Sequence, residues 1–125
     1  MSYHPINIES LSKIKNNIAQ YSPYPSKVQI IAVTKKFSHH AIINAIKNNI
    51  TCIGENQIQE FDKKAHHLLD YQFESHLIGH LQSNKIIKAI KLFKVIQTID
   101  SFKLAQTLNE KLKTINKKQN IYIQL

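Results

Sequence analysis

Arginine and tryptophan are absent from this chain, glycine occurs twice, proline three times and cysteine once. The missing arginine has the widest consequence. Planar, two-pronged recognition of phosphates and guanine edges leans on guanidinium groups. The formal charge of +9, with all 17 basic side chains being lysine, is therefore expected to be solvated helix surface, with no specific nucleic-acid partner. Lysines stand side by side only as Lys35 with Lys36, Lys63 with Lys64 and Lys117 with Lys118. A basic nucleic-acid-associated domain remains a rival reading, one that predicts binding falling steeply with salt. The single Cys52 excludes an internal disulfide and, lying in an apolar run, is expected to be a small buried hydrophobe. No run approaches the roughly 18–20 apolar residues of a membrane span, and no basic stretch followed by an apolar region marks a secretory signal. No membrane partner and a cytoplasmic address are expected.

What is present is an ordinary globular composition, 42% hydrophobic and 20% charged over 125 residues, which suits one domain. Leu11, Ile14 and Ile18 fall at helical spacing until Tyr21–Ser26, with Pro23 and Pro25, breaks the pattern. Residues 1–26 are thus expected to be a lead-in helix and loop, and residues 27–125 a set of βα repeats.

Four times after Val28 a short β-branched run gives way to a segment of period near 3.6. The strands are expected at Val28–Lys35, Thr51–Gly54, Ser75–Gly79 and Val95–Ile99, with a fifth beginning at Ile121. The helices between them carry Ile43, Ile46 and Ile50; then Ile58, Phe61, Ala65 and Leu68; then Ile86, Ile87, Ile90 and Phe93; then Leu104, Leu108, Leu112 and Ile115. Ser38, Ser83 and either Asp100 or Ser101 are placed to start three of them. Near-continuous apolar strands joined by amphipathic helices imply an α/β fold with a parallel sheet. A doubly wound sheet and a (β/α) barrel both satisfy this pattern. No G-x-G-x-x-G or Walker-type glycine loop follows the first strand, which favours the barrel.

Both glycines, Gly54 and Gly79, fall at predicted strand ends, where glycine permits close approach to a ligand or a left-handed turn. Lys35, Glu55, Asn56 and Asp100 gather at the same ends, the face where (β/α) barrels keep their active sites. Alternation along a strand would turn Lys35 and Lys36 to opposite sides. A lysine at a low-dielectric mouth has its neutral form favoured, as attack on an aldehyde requires. His66 and His67 are adjacent and cannot share a helix face as i, i+4 ligands do; His39, His40, His66, His67 and His80 are expected to be surface or helix residues, and His76, at the start of strand three, has a hydrogen-bonded core histidine as its alternative reading. No metal site is expected.

The segments IAVTKK (Ile31–Lys36), IGENQIQE (Ile53–Glu60), SHLIGHLQSNK (Ser75–Lys85) and QTID (Gln97–Asp100) resemble, in order, the signature segments of the pyridoxal phosphate (PLP) homeostasis proteins. These are single-domain relatives of the alanine racemase N-terminal barrel. The resemblance implies a (β/α) TIM-type barrel, incomplete, with about the first five strands present. It implies PLP as cofactor, held as a Schiff base on Lys35, which follows the hydroxyl residue Thr34. It places Gly54, Glu55 and Asn56 on the cofactor side, and His76, Gly79, Gln82, Asn84 and Lys85 at the neighbouring mouth. The implied role is PLP binding and homeostasis without catalysis, with PLP-dependent apo-enzymes as recipients. In this family the phosphate cradle comes from the last strands, so weak or no binding by this chain alone is expected, along with a completing polypeptide or oligomer. The rival from the enzyme class is one part of a split PLP-dependent racemase or decarboxylase.

Overall fold

A computed structural model describes residues 5–125 of the chain; the first four residues of the expected lead-in segment lie outside the described residues. Helix α1 (Ile8–Tyr21) is capped by the Asn7 side chain, which accepts from the Ser10 amide, and its Leu11 is buried. Beyond it run β1 (Ala32–Val33), α2 (His39–Lys47), β2 (Cys52–Glu55), α3 (Ile58–Ala65), β3 (Glu74–Leu77), α4 (Ile86–Leu92), β4 (Val95–Ile99), α5 (Phe102–Thr114) and β5 (Asn120–Ile123).

All neighbouring strands are parallel and their order is β1-β2-β3-β4-β5. That order separates the two architectures left open by the sequence. A doubly wound sheet reverses direction at a switch point, whereas right-handed crossovers that always step the same way put every helix on one face, as in a (β/α) barrel. Helices α3 and α4, and α4 and α5, accordingly pack as neighbours. Ile53, Leu77 and Ile96 point into this helix layer and are fully buried, joined by Ile42, Phe61, Ile86, Ile90 and Leu108. Phe61 packs edge-on to Phe73 and tilted against Phe93, with ring centroids 6.3 and 5.0 Å away. Such aromatic pairs add about 0.5–1.5 kcal/mol each beyond area burial.

The opposite face carries Val33, Gly54, His76 and Val95 side by side through the strand register. Among the described residues β1 and β5 each pair on one side only, so the five-stranded sheet is open.

Several boundaries differ from the sequence expectation. The first strand is two residues long, and Lys35 and Lys36 form a turn after it, with Lys36 at φ 65°. Strand alternation therefore does not set which way these two lysines face. In α2 the buried stripe is Ala41, Ile42 and Ala45, with Ile43 and Ile46 half-buried, because the small alanines let the helix sit close to the sheet. Ser83 opens a 3₁₀ turn ahead of α4, and Ile87 and Ile115 are exposed. Ser101, not Asp100, caps α5 by accepting from the Leu104 amide.

Candidate functional site

The C-terminal ends of β1 and β2 are tied together by a buried polar cluster. Glu55 closes β2 on the helix side, with the same facing as Ile53, and is fully buried. Its Oε1 accepts from the Thr34 hydroxyl at 2.9 Å and from Lys64 Nζ at 2.6 Å. Lys64, on α3, is 2% exposed. It also donates to the Thr34 carbonyl at 2.9 Å and pairs with Glu60 at 3.1 Å. An ammonium has three N–H donors, and here three acceptors meet them. Glu60 in turn accepts from the backbone N–H of Lys36. Glu55 Oε2 has no hydrogen-bond partner among the described residues. Burial pushes the Glu55 carboxyl up from its ordinary range, opposed by the Lys64 and Thr34 hydrogen bonds and reinforced by Glu60.

The cluster acts on the turn that carries Lys35. A left-handed backbone at a non-glycine residue costs about 1–2 kcal/mol, and persists where its surroundings over-determine it. Thr34 is held by side chain and carbonyl, and Lys36 by its amide, so Lys35 is fixed at the backbone from both sides. Its own side chain is exposed and makes no hydrogen bond or ion pair among the described residues. A free amine thus stands on a braced turn at the strand mouth.

The remaining predicted residues divide. Asn56 is half-buried and lines an open cleft with Gln57, His80, Gln82 and Lys85, across the ends of β2 and β3. Gly79 is not a left-handed turn; a Cβ there would lie 2.1 Å from the Asn56 carbonyl oxygen, so glycine lets the two loops touch. Gly54 has ordinary φ as well, and a Cβ on it would meet Ile78 at 3.0 Å and Ile31 at 3.1 Å. Both glycines serve packing between neighbouring strands. Glu55 faces the helices and reaches Lys35 only through Thr34 and Lys64. His76 is buried on the helix-free face, bonded to Glu74 at 2.8 Å and to Gln97 at 2.8 Å. Asn84 is exposed, and Asp100 is exposed beyond β4.

Sequence reasoning missed Lys64 and Glu60. Their i, i+4 spacing on α3 was the available signal. It also missed that α2 and the turn after α3 bring four imidazoles together, with His39 stacked on His67 at 4.3 Å, His40 tilted against His39 at 4.1 Å and His66 tilted against His67 at 4.2 Å. Desolvation chiefly, and then the neighbouring imidazoles, lower the His39 pKa. No helix among the described residues is long and apolar enough to cross a membrane.

A one-directional parallel βα sheet with a lysine braced at the end of its first strand defines a protein of the (β/α)-barrel class. The family model for the alanine racemase N-terminal domain matches residues 10–125, and the chain belongs to that family. It is 38% identical over 84 residues to the pyridoxal phosphate homeostasis protein of Vibrio alginolyticus, a match covering 63% of this chain and 36% of the relative. The protein of the same name from Helicobacter pylori is 37% identical over 76 residues, covering 61% and 34%. PipY of Synechococcus elongatus, solved with PLP bound, superposes with a TM-score of 0.78 at 33% identity, covering 90% of this chain and 51% of PipY. The chain therefore spans about a third of the length of these curated relatives in the matched region, and about half of the solved one.

Proposed function

We propose that this chain takes part in PLP homeostasis, holding PLP as a Schiff base on Lys35 for storage and for delivery to PLP-dependent apo-enzymes, without turnover. The observation that carries this is the braced turn: a free, exposed lysine whose flanking residues are locked by a buried ion-pair cluster. Relatives named for PLP homeostasis, and a similar structure with PLP bound, support the choice of ligand. Residues 27–125 form the binding unit in this reading, with 1–26 as its lead-in.

The residues present fit the aldehyde end of the cofactor. Lys35 supplies an unpaired amine, and the half-exposed Val33 offers an apolar neighbour on the helix-free face. PLP, when bound, supplies an electron sink that becomes catalytic only beside a placed acid or base. The chain's own residues bind and orient: Thr34, Glu55, Lys64 and Glu60 hold the turn, and Asn56, with the cleft running to Lys85, borders the mouth on the next strands. Proximity of this kind raises the effective concentration of the amine at the aldehyde.

The reading is tested by incubating the chain with PLP, reducing with borohydride and mapping the modified peptide. The adduct is expected on Lys35, in low yield for this chain alone, absent in Lys35→Ala and retained in Lys36→Ala. Lys64 provides an internal control, since it is labelled only where the fold opens. Uniform labelling of exposed lysines, or a preferred adduct on Lys85, overturns the assignment.

A further inference from the structure

At the opposite end of the strands from Lys35, three side chains of different chemistry converge on the helix-free face. Cys52 and Glu74 are the first residues of β2 and β3 and are register partners, and His76 follows Glu74 by two residues on the same side. Their ligand-capable atoms all lie within 4.8 Å of one another. Cys52 and His76 are buried at 1% exposure each, whereas the Glu74 side chain is 33% exposed. We propose that Cys52, Glu74 and His76 form a binding site for a divalent transition-metal ion of the zinc type.

The donor set suits that ion. Thiolate sulfur, imidazole nitrogen and carboxylate oxygen are the three protein ligand types of zinc, and three of them with one open position is the arrangement of accessible zinc sites. Charge also balances: one thiolate and one carboxylate neutralise a dication, so a filled site buries no net charge. With bonds of about 2.0–2.3 Å, tetrahedral ligands stand about 3.3–3.8 Å apart, a contraction within reach of side-chain rotation. On binding, the Cys52 S–H proton leaves to solvent and the sulfur lone pair goes to the metal. The Glu74 carboxylate exchanges its hydrogen bond with His76 for a metal bond.

His76 has a partner that allows this exchange. Its Nε2 now faces Glu74 and its Nδ1 faces the amide of Gln97. For Nε2 to bind metal, the ring proton must reside on Nδ1 and find an acceptor. Rotation of the Gln97 amide presents Oε1 in place of Nε2, so either tautomer is satisfied. Outer partners of this kind orient ligating imidazoles. An entry path exists as well, because Glu74 opens onto a cleft lined by Gln29, Thr51, Gln72 and Lys94. Lys94 Nζ lies 3.9 Å from the Glu74 carboxylate and opposes a cation, but it is mostly exposed and free to swing away.

The test is titration of the full chain with Co²⁺, followed by displacement with Zn²⁺. The expected result is one equivalent bound with a thiolate-to-cobalt charge-transfer band, lost in Cys52→Ser and in His76→Gln. Gln97→Leu, which removes no ligand, should weaken Zn²⁺ binding by about 10–100-fold. A variant with His39, His40, His66 and His67 all changed to Gln should keep the band, which separates this site from the exposed imidazole stack. Folding of each variant is checked by circular dichroism, and Zn²⁺ should raise the thermal midpoint of the unsubstituted chain. Absence of saturable binding, cobalt spectra without a sulfur band, or binding that disappears with the four histidines overturns the proposal.

Discussion

Replacing Lys64 by methionine keeps the length of the side chain and removes its charge. The change strands Glu55, fully buried, and leaves the Thr34 carbonyl and Glu60 without the ammonium that now lies 2.9 and 3.1 Å from them. Breaking a buried pair by deleting one partner costs about 3–5 kcal/mol, because the other charge stays behind. For a chain of this size that lowers the thermal midpoint by about 12–20 °C, taking about 4 °C per kcal/mol. The paired change Glu55→Gln with Lys64→Met removes both charges and should cost distinctly less than Lys64→Met alone. Urea unfolding followed by circular dichroism of these two variants and of Glu55→Gln alone completes the cycle, and the coupling isolates the pair. Hydrogen exchange at the Lys36 amide supplies a local reading, since its acceptor Glu60 is held by Lys64. A loss under about 1 kcal/mol, the range of exposed ion pairs, would refute the view that this cluster braces the Lys35 turn.

Three further outcomes are expected. Gly79→Ala pushes a methyl into the Asn56 backbone, and overpacking of this kind costs about 1–3 kcal/mol; unchanged urea stability would contradict the tight loop contact. The His39 pKa is lowered on folding, so the folded chain binds fewer protons than the unfolded one; stability should fall as pH drops through the unfolded value of about 6.5 and level off below the folded value. His39→Gln should reduce that slope, and an NMR titration of the ring reads the shift directly. Binding to duplex DNA should be weak at about 50 mM salt and vanish toward 200 mM, as for a few phosphate contacts; a complex persisting at 200 mM would restore the nucleic-acid reading.

The legible part of the fold was the part governed by local pattern. Val95–Ile99 is a strand from end to end as expected, because an apolar run between a loop and a capping serine has little alternative. Leu104, Leu108 and Leu112 face inward at the spacing that their sequence dictates. Strand one is shorter than its sequence suggests because Val28, Ile30 and Ile31 are β-branched yet lack a neighbouring strand to pair with at that height. The candidate site was half legible. Lys35 and Asn56 lie where strand-end polarity put them, but Lys64 looked like one of a solvated pair with Lys63. Its burial depends on Glu55 and Thr34, nine and thirty residues away, and no local periodicity records that. The imidazole stack was hidden for the same reason, since it needs the start of α2 beside the turn after α3.

The one-directional strand order bears on how the chain reaches its native state. Strands begin at residues 32, 52, 74, 95 and 120, and each adds to the edge left by the one before. Among the described strands, each pairs with the one just before it in sequence, so loop-closure entropy stays modest at every step. Assembly can therefore advance from the N-terminus while synthesis proceeds, each βα unit docking on a finished edge. The Lys64 cluster ties the first two of these strands together, since the ammonium on α3 bonds both the Thr34 carbonyl after β1 and the Glu55 carboxylate of β2.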